Sequence, residues 1–367
     1  MNTNALVIGK FYPPHAGHRH LIETAAAGAD HVYVLVQGGR FETLTAAQRA
    51  DWLREEFDGA NVTIVPVRND CPEDYASDEI WTAQLENMRW ALKVQGVENI
   101  DAVYTSESYG ERLAQAFGAV HVPVDPARAT HHISGTMCRE DLTGNWHQLV
   151  PAARRGLAVR VIVVGAESTG TTTLSEDLRA HYRQQFPAIA DVPEYGRYYT
   201  YELLEALQGT RADATVEDLV WTATDFGIIA NRQTELEQAA AEAAPLVIAD
   251  TDALATTLWE RYYLGDGSYG SYDAQTHLPR RDVYLLTDHN GVEFEDDGWR
   301  EGEHRRPEMT EWFKETLTDE GHSWILVTGS PERRLATATA VIDAMLTQQN
   351  TFTSAAWQNR TVFTVAA

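Results

Sequence analysis

The chain has 367 residues, a length that fits two domains better than a single hydrophobic core. Its 54 acidic and 29 basic side chains give a formal net charge of −25, which disfavours general binding to nucleic acids or to anionic membranes. Cys71 and Cys138 are the only cysteines and lack the spacing of metal ligands, which indicates a reducing compartment. Since the sequence has neither a signal peptide nor an apolar run of membrane-spanning length, we expect a cytoplasmic protein.

Strand and helix patterns alternate along the chain. In the first half, strands are predicted near residues 5–8, 31–36, 62–66, 101–104 and 119–122, and helices near 18–28, 45–57, 78–95 and 108–117. A second series has strands near 159–164, 245–249, 282–287 and 323–327, and helices near 171–185, 196–208, 216–243, 308–320 and 331–347. This alternation predicts an α/β protein with a doubly wound, Rossmann-like parallel sheet in a first domain, and a second α/β domain after it. We place the domains at 1–150 and 158–349, followed by a polar tail at 350–367.

The turn after the first strand carries the most informative motif. Residues 9–18 read Gly9-Lys-Phe-Tyr-Pro-Pro-His15-Ala-Gly17-His18 and run from an apolar strand into a helix. A helix start offers free backbone N–H groups and a positive dipole end, and His15 and His18 can each donate to phosphate oxygens as cations. We therefore predict a nucleoside triphosphate site without a covalent nucleophile; the alternative is a proline-bounded turn with two surface histidines. The residues predicted to bind ATP beside the two histidines are Gly9, Lys10, Phe11 and Gly17.

A second anion clamp is predicted after the last strand of the first half, in Ile133-Ser-Gly-Thr-Met-Cys-Arg139. The hydroxyls of Ser134 and Thr136 stand at a helix start with Arg139 one turn in, and they would face the two histidines across the sheet edge. The alternative is an ordinary capped helix. Trp81 is suited to stack on a flat heterocycle, although a core position is equally compatible with its sequence context. Weaker candidates for phosphate contacts are Arg40, Thr45 and Arg49.

A second phosphate loop follows the strand at 159–164. The glycine spacing of Gly165 and Gly170 between a buried strand and a helix predicts a P-loop, whose backbone N–H groups would wrap the β-phosphate while the Thr172 hydroxyl binds Mg²⁺. Thr171 stands where the pattern has lysine, and losing one such donor typically costs about 3–4 kcal/mol of transition-state stabilisation. Either an arginine replaces that charge or the domain only binds nucleotide; a Gly/Thr-rich turn is the plainer alternative. The residues predicted to bind ATP here are Gly165, Glu167, Ser168, Thr169, Gly170, Thr171, Thr172, Thr173 and Arg300.

Three other segments of the second half carry candidate residues. Asp250 and Asp252 end a predicted strand, where carboxylates can hold Mg²⁺ or accept a hydroxyl proton, although both residue types also cap helices. Glu194-Tyr-Gly-Arg197 is suited to hold a sugar and its phosphate by hydrogen bonds. Residues 296–306 form a glycine-rich, arginine-rich insertion, predicted to be a mobile lid whose arginines replace the absent lysine; the alternative is a solvated charged loop.

Taken together, these motifs resemble a known family over roughly residues 4–347. The first two look like the signatures of nucleotidyltransferases, and the added P-loop, Glu194-Tyr-Gly-Arg197 and Asp250-Thr-Asp252 are similar to the bifunctional NadR-type proteins. Those join a nicotinamide-mononucleotide adenylyltransferase to a ribosylnicotinamide kinase with a P-loop. The resemblance implies that the second domain phosphorylates nicotinamide riboside with ATP, and that the first joins the product to AMP from a second ATP, giving NAD and pyrophosphate.

The resemblance also assigns roles to the candidate residues. His15 and His18 would stabilise charge on the ATP phosphates, and Ser134 and Arg139 would hold the departing pyrophosphate. Asp250 would be the base or, with Thr172, a ligand of Mg²⁺ in the kinase step. The substrate-binding residues would be Trp81 for the mononucleotide and Glu194, Arg197 and Asp252 for the riboside.

Two other functions stay open at the level of sequence. The first domain could transfer an adenylyl or cytidylyl group to another phosphorylated substrate, such as a pantetheine or a polyol phosphate. The second domain could be a degenerate, nucleotide-sensing module, a reading that rests on Thr171. A DNA-binding repressor function is not expected, because the first strand begins near residue 5. The expected partners are therefore small molecules (ATP, nicotinamide mononucleotide and nicotinamide riboside), with neither nucleic acid nor membrane; a homo-oligomer is compatible with the sequence.

Overall fold

The protein is described from a computed structural model, which covers residues 3–72, 77–272, 278–295 and 303–353. The chain divides into two compact units: Met1–Arg154 with Asn350–Ala367, and Arg155–Gln349. Residues 350–353, the described part of the segment that we expected to be a tail, therefore group with the first unit. Both units contain parallel sheets, so the predicted α/β fold class is confirmed. Among the described residues, no helix combines the length and the apolar character that a membrane crossing requires.

The first unit is built on a five-stranded sheet in the order β3-β2-β1-β4-β5, with parallel neighbours throughout. Its strands are β1 (Asn4–Gly9), β2 (His31–Gly38), β3 (Val62–Arg68), β4 (Ala102–Thr105) and β5 (Val120–Pro123). Its helices are α1 (Ala16–Gly28), α2 (Ala46–Glu56), α3 (Asp78–Val94), α4 (Gly110–Phe117) and α5 (Gly135–Glu140). Two apolar clusters cover the sheet, one including Ile22 and Leu53 and the other Trp81 and Leu85. The strand order reverses between β1 and β4, and ligands bind at such a switch point in open α/β sheets.

The second unit has a four-stranded parallel sheet in the order β7-β6-β8-β9. Its strands are β6 (Val159–Val164), β7 (Leu246–Asp250), β8 (Val283–Thr287) and β9 (Trp324–Val327). The valine-rich β6 is buried along its whole length, as expected of a strand with helices on both faces. The helices, beginning with α6 at the boundary between the units, are α6 (Pro151–Leu157), α7 (Thr171–Tyr182), α8 (Tyr195–Gln208), α9 (Ala223–Ala243), α10 (Ala253–Leu264), α11 (Arg306–Asp319) and α12 (Pro331–Gln349).

The helix assignments differ from the prediction in two places. The helix predicted over 216–243 begins at Ala223, because Thr222 and Asp225 form a reciprocal cap there; a separate 3₁₀ turn spans Val216–Asp218. The helix start predicted at Ser134 is that of α5. We did not predict α6, and we expected α10 only as the alternative in which Asp252 caps a helix. The sequence of α10 is rich in threonine and aromatic residues, which are weak helix formers. Half of the twelve residues of that helix are buried, the first four of them in succession, so its sequence has little of the polar-to-apolar periodicity that reveals a surface helix.

Candidate active sites

A cavity of about 410 Å³ opens in the first unit at the carboxyl ends of β1 and β4. Apart from three weaker candidates, every residue that the sequence predicted for the first phosphate site and its acceptor lines this cavity. These are Gly9, Lys10, Phe11, His15, Gly17, His18, Trp81, Ser134, Thr136 and Arg139. The structure therefore brings two motifs that are far apart in sequence to one edge of the sheet.

The two histidines of the first motif form a stacked pair. Their ring centroids lie 3.6 Å apart at an interplanar angle of 25°. The backbone N–H of His15 donates to Nδ1 of His18 at 3.3 Å, so the ring proton of a neutral His18 is on Nε2. Phe11, held at a φ of 51°, packs its ring 4.8 Å from that of His18. This packing fixes the direction in which His18 can donate a hydrogen bond.

Burial decides the charge of this pair. Desolvation, followed by the nearby charges of Arg128 and His131, lowers the pKa of His15 to about 3. Desolvation, then His15 and Arg128, also lowers the pKa of His18 well below its ordinary value. Both rings are therefore neutral in the ligand-free cavity at neutral pH, and the cationic form that the sequence analysis expected depends on a bound anion. A neutral imidazole still donates one N–H to a phosphate oxygen.

The predicted clamp contacts the first motif through Tyr12. Ser134 caps α5 by accepting a hydrogen bond from the backbone of Met137 at 3.2 Å. Arg139 donates to the carbonyl of Tyr12 at 2.6 Å and to the Thr136 hydroxyl at 3.1 Å, and its guanidinium lies over the Tyr12 ring. Arg139 is thus held at the cavity wall by the turn that carries the histidines.

The loop before the clamp adds basic residues that the sequence analysis missed. Arg128 and His131 line the cavity, and Arg128 also pairs with Glu107 at 3.1 Å. Asp125 holds the loop by accepting hydrogen bonds from the backbone of residues 129–131. The cluster of histidine and arginine just before Ile133 was the available signal.

Three weaker candidates of the first unit do not line the cavity, and two have evident structural roles. Thr45 caps α2 by accepting from the backbone N–H of Gln48 at 3.1 Å. Arg49 is fully buried and donates to the Glu42 carboxylate at 2.6 Å and to the Thr45 carbonyl at 3.1 Å. Arg40 places its guanidinium over the ring of Phe41. Sequence proximity to β2 therefore did not place these three residues at the cavity.

Trp81 lines the first cavity but is only 6% exposed. The guanidinium carbon of Arg112 lies 4.6 Å from its ring centroid. The side chain belongs to the core of the unit and presents only a small part of its surface to the cavity. The core position and the position at the ligand cavity, which the sequence left as alternatives for Trp81, are therefore both partly correct.

A larger cavity of about 860 Å³ opens in the second unit at the carboxyl ends of β6 and β7. Arg300 lies outside the described residues. The other residues predicted for this site line the cavity, except Asp252. They are Gly165, Glu167, Ser168, Thr169, Gly170, Thr171, Thr172, Thr173, Glu194, Arg197 and Asp250.

The backbone of the P-loop needs its two glycines. Gly170 has a φ of 85°, which favours glycine. A Cβ on Gly165 would stand 2.2 Å from the Thr287 hydroxyl oxygen, so no side chain fits there. Thr169 closes the loop by donating to the carbonyl of Ala166 at 2.7 Å. The loop is therefore preformed in front of α7, as a phosphate-binding turn requires.

Thr172 and Asp250 meet at the floor of this cavity. The Thr172 hydroxyl donates to a carboxylate oxygen of Asp250 at 2.6 Å. Burial raises the pKa of Asp250, and hydrogen bonds from Thr172 and Thr171 oppose that shift. Mg²⁺ takes oxygen ligands and usually binds one or two protein groups together with phosphates and water, so this pair has suitable chemistry for it.

The arginines predicted as lid residues do not line the cavity, which corrects that expectation for the described part of the insertion. Residues 296–302 lie outside the described residues. Arg305 pairs with Glu308 at 3.3 Å. Arg306 is buried and donates to the carbonyls of Ser168 at 3.1 Å and His289 at 3.3 Å. Arg306 therefore stabilises the P-loop through its backbone and does not line the cavity.

Asp252 is placed in the core and not in the cavity, which corrects its assignment to the riboside. It is 0% exposed and caps α10 by accepting from the backbone of Ala255 at 2.9 Å. Its other carboxylate oxygen accepts from Arg281 at 3.0 Å and from the Tyr284 hydroxyl at 2.7 Å. The helix-cap alternative was the correct one at this position.

Aromatic side chains that the sequence analysis did not single out form another wall of the second cavity. Trp221 lies 5.5 Å from Phe226 and 5.5 Å from Tyr263, measured between ring centroids, and all three line the cavity. Trp259 also lines it. These residues come from α9, α10 and the segment before α9, so only the tertiary fold groups them. Together they offer apolar ring surface to a flat ligand.

Comparison with known proteins confirms the resemblance expected from the motifs. A family model described as an AAA domain matches residues 160–334. The trifunctional NAD biosynthesis/regulator protein NadR of Escherichia coli (strain K12) is 25% identical over 279 residues, which cover 72% of this chain and 63% of that protein. A nicotinamide-nucleotide adenylyltransferase of Methanoculleus marisnigri is 28% identical over 161 residues, or 41% of this chain and 87% of that protein.

A solved structure has the same fold. The crystal structure of NadR protein in complex with NR aligns with a TM-score of 0.57 at 23% identity, and the alignment covers 94% of this chain and 96% of that one. The chain is therefore a homologue of the NadR proteins in sequence and in fold. It spans less than two thirds, 63%, of the length of the Escherichia coli protein.

Proposed function

We propose that this homologue of the NadR proteins catalyses two successive steps of NAD biosynthesis, one in each unit. The second unit transfers the γ-phosphoryl group of ATP to the 5′-hydroxyl of nicotinamide riboside. The first unit joins the resulting mononucleotide to AMP from another ATP and releases pyrophosphate. The observation that carries the proposal is the convergence of His15, His18 and Arg139 on one cavity at the switch point of the first sheet.

In the first unit, a 5′-phosphate oxygen of the mononucleotide attacks the α-phosphorus of ATP, and the bond from that phosphorus to the bridging oxygen breaks. The departing pyrophosphate gains negative charge. Neutral His15 and His18 each present one N–H to it, and a bound triphosphate raises the pKa of both rings because an anion favours the protonated form. Arg139, fixed by Tyr12, adds a permanent positive charge. Alignment and charge compensation are sufficient for this step.

In the second unit, the P-loop binds the ATP phosphates and the aromatic wall binds the riboside. The pyridinium ring of nicotinamide riboside is flat and cationic, so Trp221 and Tyr263 suit it by stacking and by cation–π attraction. Glu194 and Arg197 line the same cavity and suit the ribose hydroxyls. Thr172 and Asp250 would hold Mg²⁺, which supplies charge neutralisation on the transferred phosphoryl group. Asp250 acts as a metal ligand in this proposal and not as the base.

The direct test is to incubate the purified chain with ATP, Mg²⁺ and either nicotinamide riboside or its 5′-phosphate, and to identify the products by chromatography and mass spectrometry. The proposal expects NAD from either substrate, with the mononucleotide as intermediate from the riboside. Pyrophosphate release with other phosphorylated acceptors, and none with the mononucleotide, would contradict the assignment of the first unit. NAD from the mononucleotide alone would leave the second unit as a nucleotide-sensing module, the alternative that Thr171 keeps open.

A further inference from the structure

Arg334 lies in the first turn of α12 with its side chain buried beside the P-loop, at an exposure of 5%. It donates to the carbonyls of Thr169 at 2.6 Å, Asp288 at 2.8 Å and Gly329 at 3.1 Å. The side chain lines the second cavity, and Nη1 lies 3.6 Å from the point where a Cβ on Gly170 would stand. A permanent positive charge is thus placed against the turn that wraps the phosphates.

No carboxylate within the described ranges lies at ion-pair distance from the charge of Arg334, whose hydrogen bonds all go to backbone carbonyls. Burial lowers the pKa of its guanidinium, and Asp288 opposes that shift only at longer range. A buried charge without a counter-ion is costly, and an anion in the cavity would offset that cost. The position therefore fits an anionic ligand bound in the P-loop.

We propose that Arg334 supplies the positive charge that Thr171 cannot, compensating the phosphates of ATP bound in the P-loop. The inference rests on the proposed kinase activity of the second unit. In P-loop enzymes a lysine at the position of Thr171 reaches the β- and γ-phosphates and stabilises the charge of the transferred group. In this chain the charge comes from the start of α12, so the departure at Thr171 does not by itself make the domain inactive.

Arg306 shows why the inference concerns Arg334 in particular. It is also buried and donates to a P-loop carbonyl, that of Ser168 at 3.1 Å. Unlike Arg334, it does not line the cavity, and the carboxylate of Glu303 acts on its pKa. Arg306 is therefore a positioning residue for the loop, whereas Arg334 both holds the loop and faces the ligand.

The test compares the full-length chain with Arg334→Gln, with Arg334→Gln combined with Thr171→Lys, and with Arg333→Gln as a matched control. Arg333 is exposed on the same turn of α12 and does not line the cavity. Arg334→Gln is expected to lower kcat/KM for ATP in riboside phosphorylation by about 10²–10³-fold. Adding Thr171→Lys is expected to restore most of that loss, which a purely structural role of Arg334 would not allow. NAD formation from the mononucleotide should be unchanged in all three variants.

Calorimetric titration with ATP and Mg²⁺ separates failure of the inference from failure of the proposed function. Arg334→Gln should weaken the binding of ATP at the P-loop site by about tenfold or more, because a charge-assisted contact is lost, and should leave the ATP site of the first unit unchanged. If the unaltered chain does not phosphorylate the riboside, the proposed kinase activity is wrong, and the titration alone decides the inference. Unchanged binding or unchanged kcat/KM in Arg334→Gln overturns it, as does a loss that Thr171→Lys leaves unrepaired.

Discussion

The rings of His15 and His18 stack with their centroids 3.6 Å apart, and desolvation by burial is the largest cause of the lowered pKa of each ring. A residue type often taken for a cation is therefore neutral here until a ligand brings negative charge. The same balance operates at Asp250, whose pKa burial raises while two threonine hydroxyls lower it. At the residue scale, burial thus disfavours the charged forms of the two histidines and of Asp250 in the absence of ligand. An anion beside the histidines, or a cation beside Asp250, would favour the charged forms again.

The first prediction concerns pH and stability. The unfolded chain takes up a proton on His15 near pH 6.5, whereas the folded chain does so only near pH 3. The folded state is therefore favoured above pH 6.5 and loses stability as the pH falls toward 3, by up to about 1.4 kcal/mol per pH unit from this group. His15→Asn should flatten the fall in the urea midpoint between pH 7 and pH 5. His147→Asn, at an exposed position of the same unit, should not; equal slopes in both variants would refute the assignment.

A second prediction separates the two readings of Asp252. Because its carboxylate accepts from Arg281, Tyr284 and the start of α10, Asp252→Ala should cost about 3–5 kcal/mol in the free energy of unfolding of the second unit. Denaturant unfolding measures this, with Asp213→Ala at an exposed position as the control. A raised KM for the riboside in a variant of unchanged stability would instead favour the binding role that the sequence suggested.

At the scale of elements, the short segment 351–353 has an unexpected role. The Tyr12 hydroxyl donates to the carbonyl of Thr353 at 2.8 Å and accepts from the backbone of Thr43 at 3.0 Å. The rings of Tyr12 and Phe352 lie edge to face, 5.7 Å apart. Since the carbonyl of Tyr12 also accepts from Arg139, this C-terminal segment supports the turn that builds the first site.

The third prediction tests that support. Tyr12→Phe removes one hydroxyl that serves both Thr43 and Thr353, and it should lower the free energy of unfolding of the first unit by about 1–3 kcal/mol. Amide hydrogen exchange at residues 351–353 should also become faster. Tyr33→Phe on β2 is the matched control, because no hydrogen bond of its hydroxyl occurs within the described part of the chain. Equal protection of the segment in Tyr12→Phe and in the unaltered chain would count against this role.

At the scale of the whole molecule, the two cavities described above each lie within one unit, at the carboxyl ends of a parallel sheet. The residues proposed for the two reactions do not overlap. The two activities should therefore be separable by single substitutions, although one chain carries both.

The fourth prediction uses that separation. In His18→Ala, the rate of NAD formation should fall by about 10²–10³-fold while phosphorylation of the riboside continues. With the riboside and ATP, this variant should therefore accumulate the mononucleotide. Asp250→Asn should do the reverse: it should form NAD from the mononucleotide at the normal rate and fail to start from the riboside. Chromatography of the products gives both results in one experiment. Near-normal NAD formation by His18→Ala would reject the role of the histidine pair, and thermal unfolding checks that each variant is folded.

The sequence by itself determined the α/β class and the positions of the glycine-bounded turns that border the two cavities, because these depend on local patterns: an apolar strand, a turn and a helix start. It could not determine the charge of His15 and His18, since the pKa of an imidazole depends on burial by distant segments. Nor could it place Asp252 in the core, group Trp221 with Tyr263, or bring Arg334 to the P-loop. Those positions depend on contacts between elements far apart in the chain, and only the tertiary structure decides them.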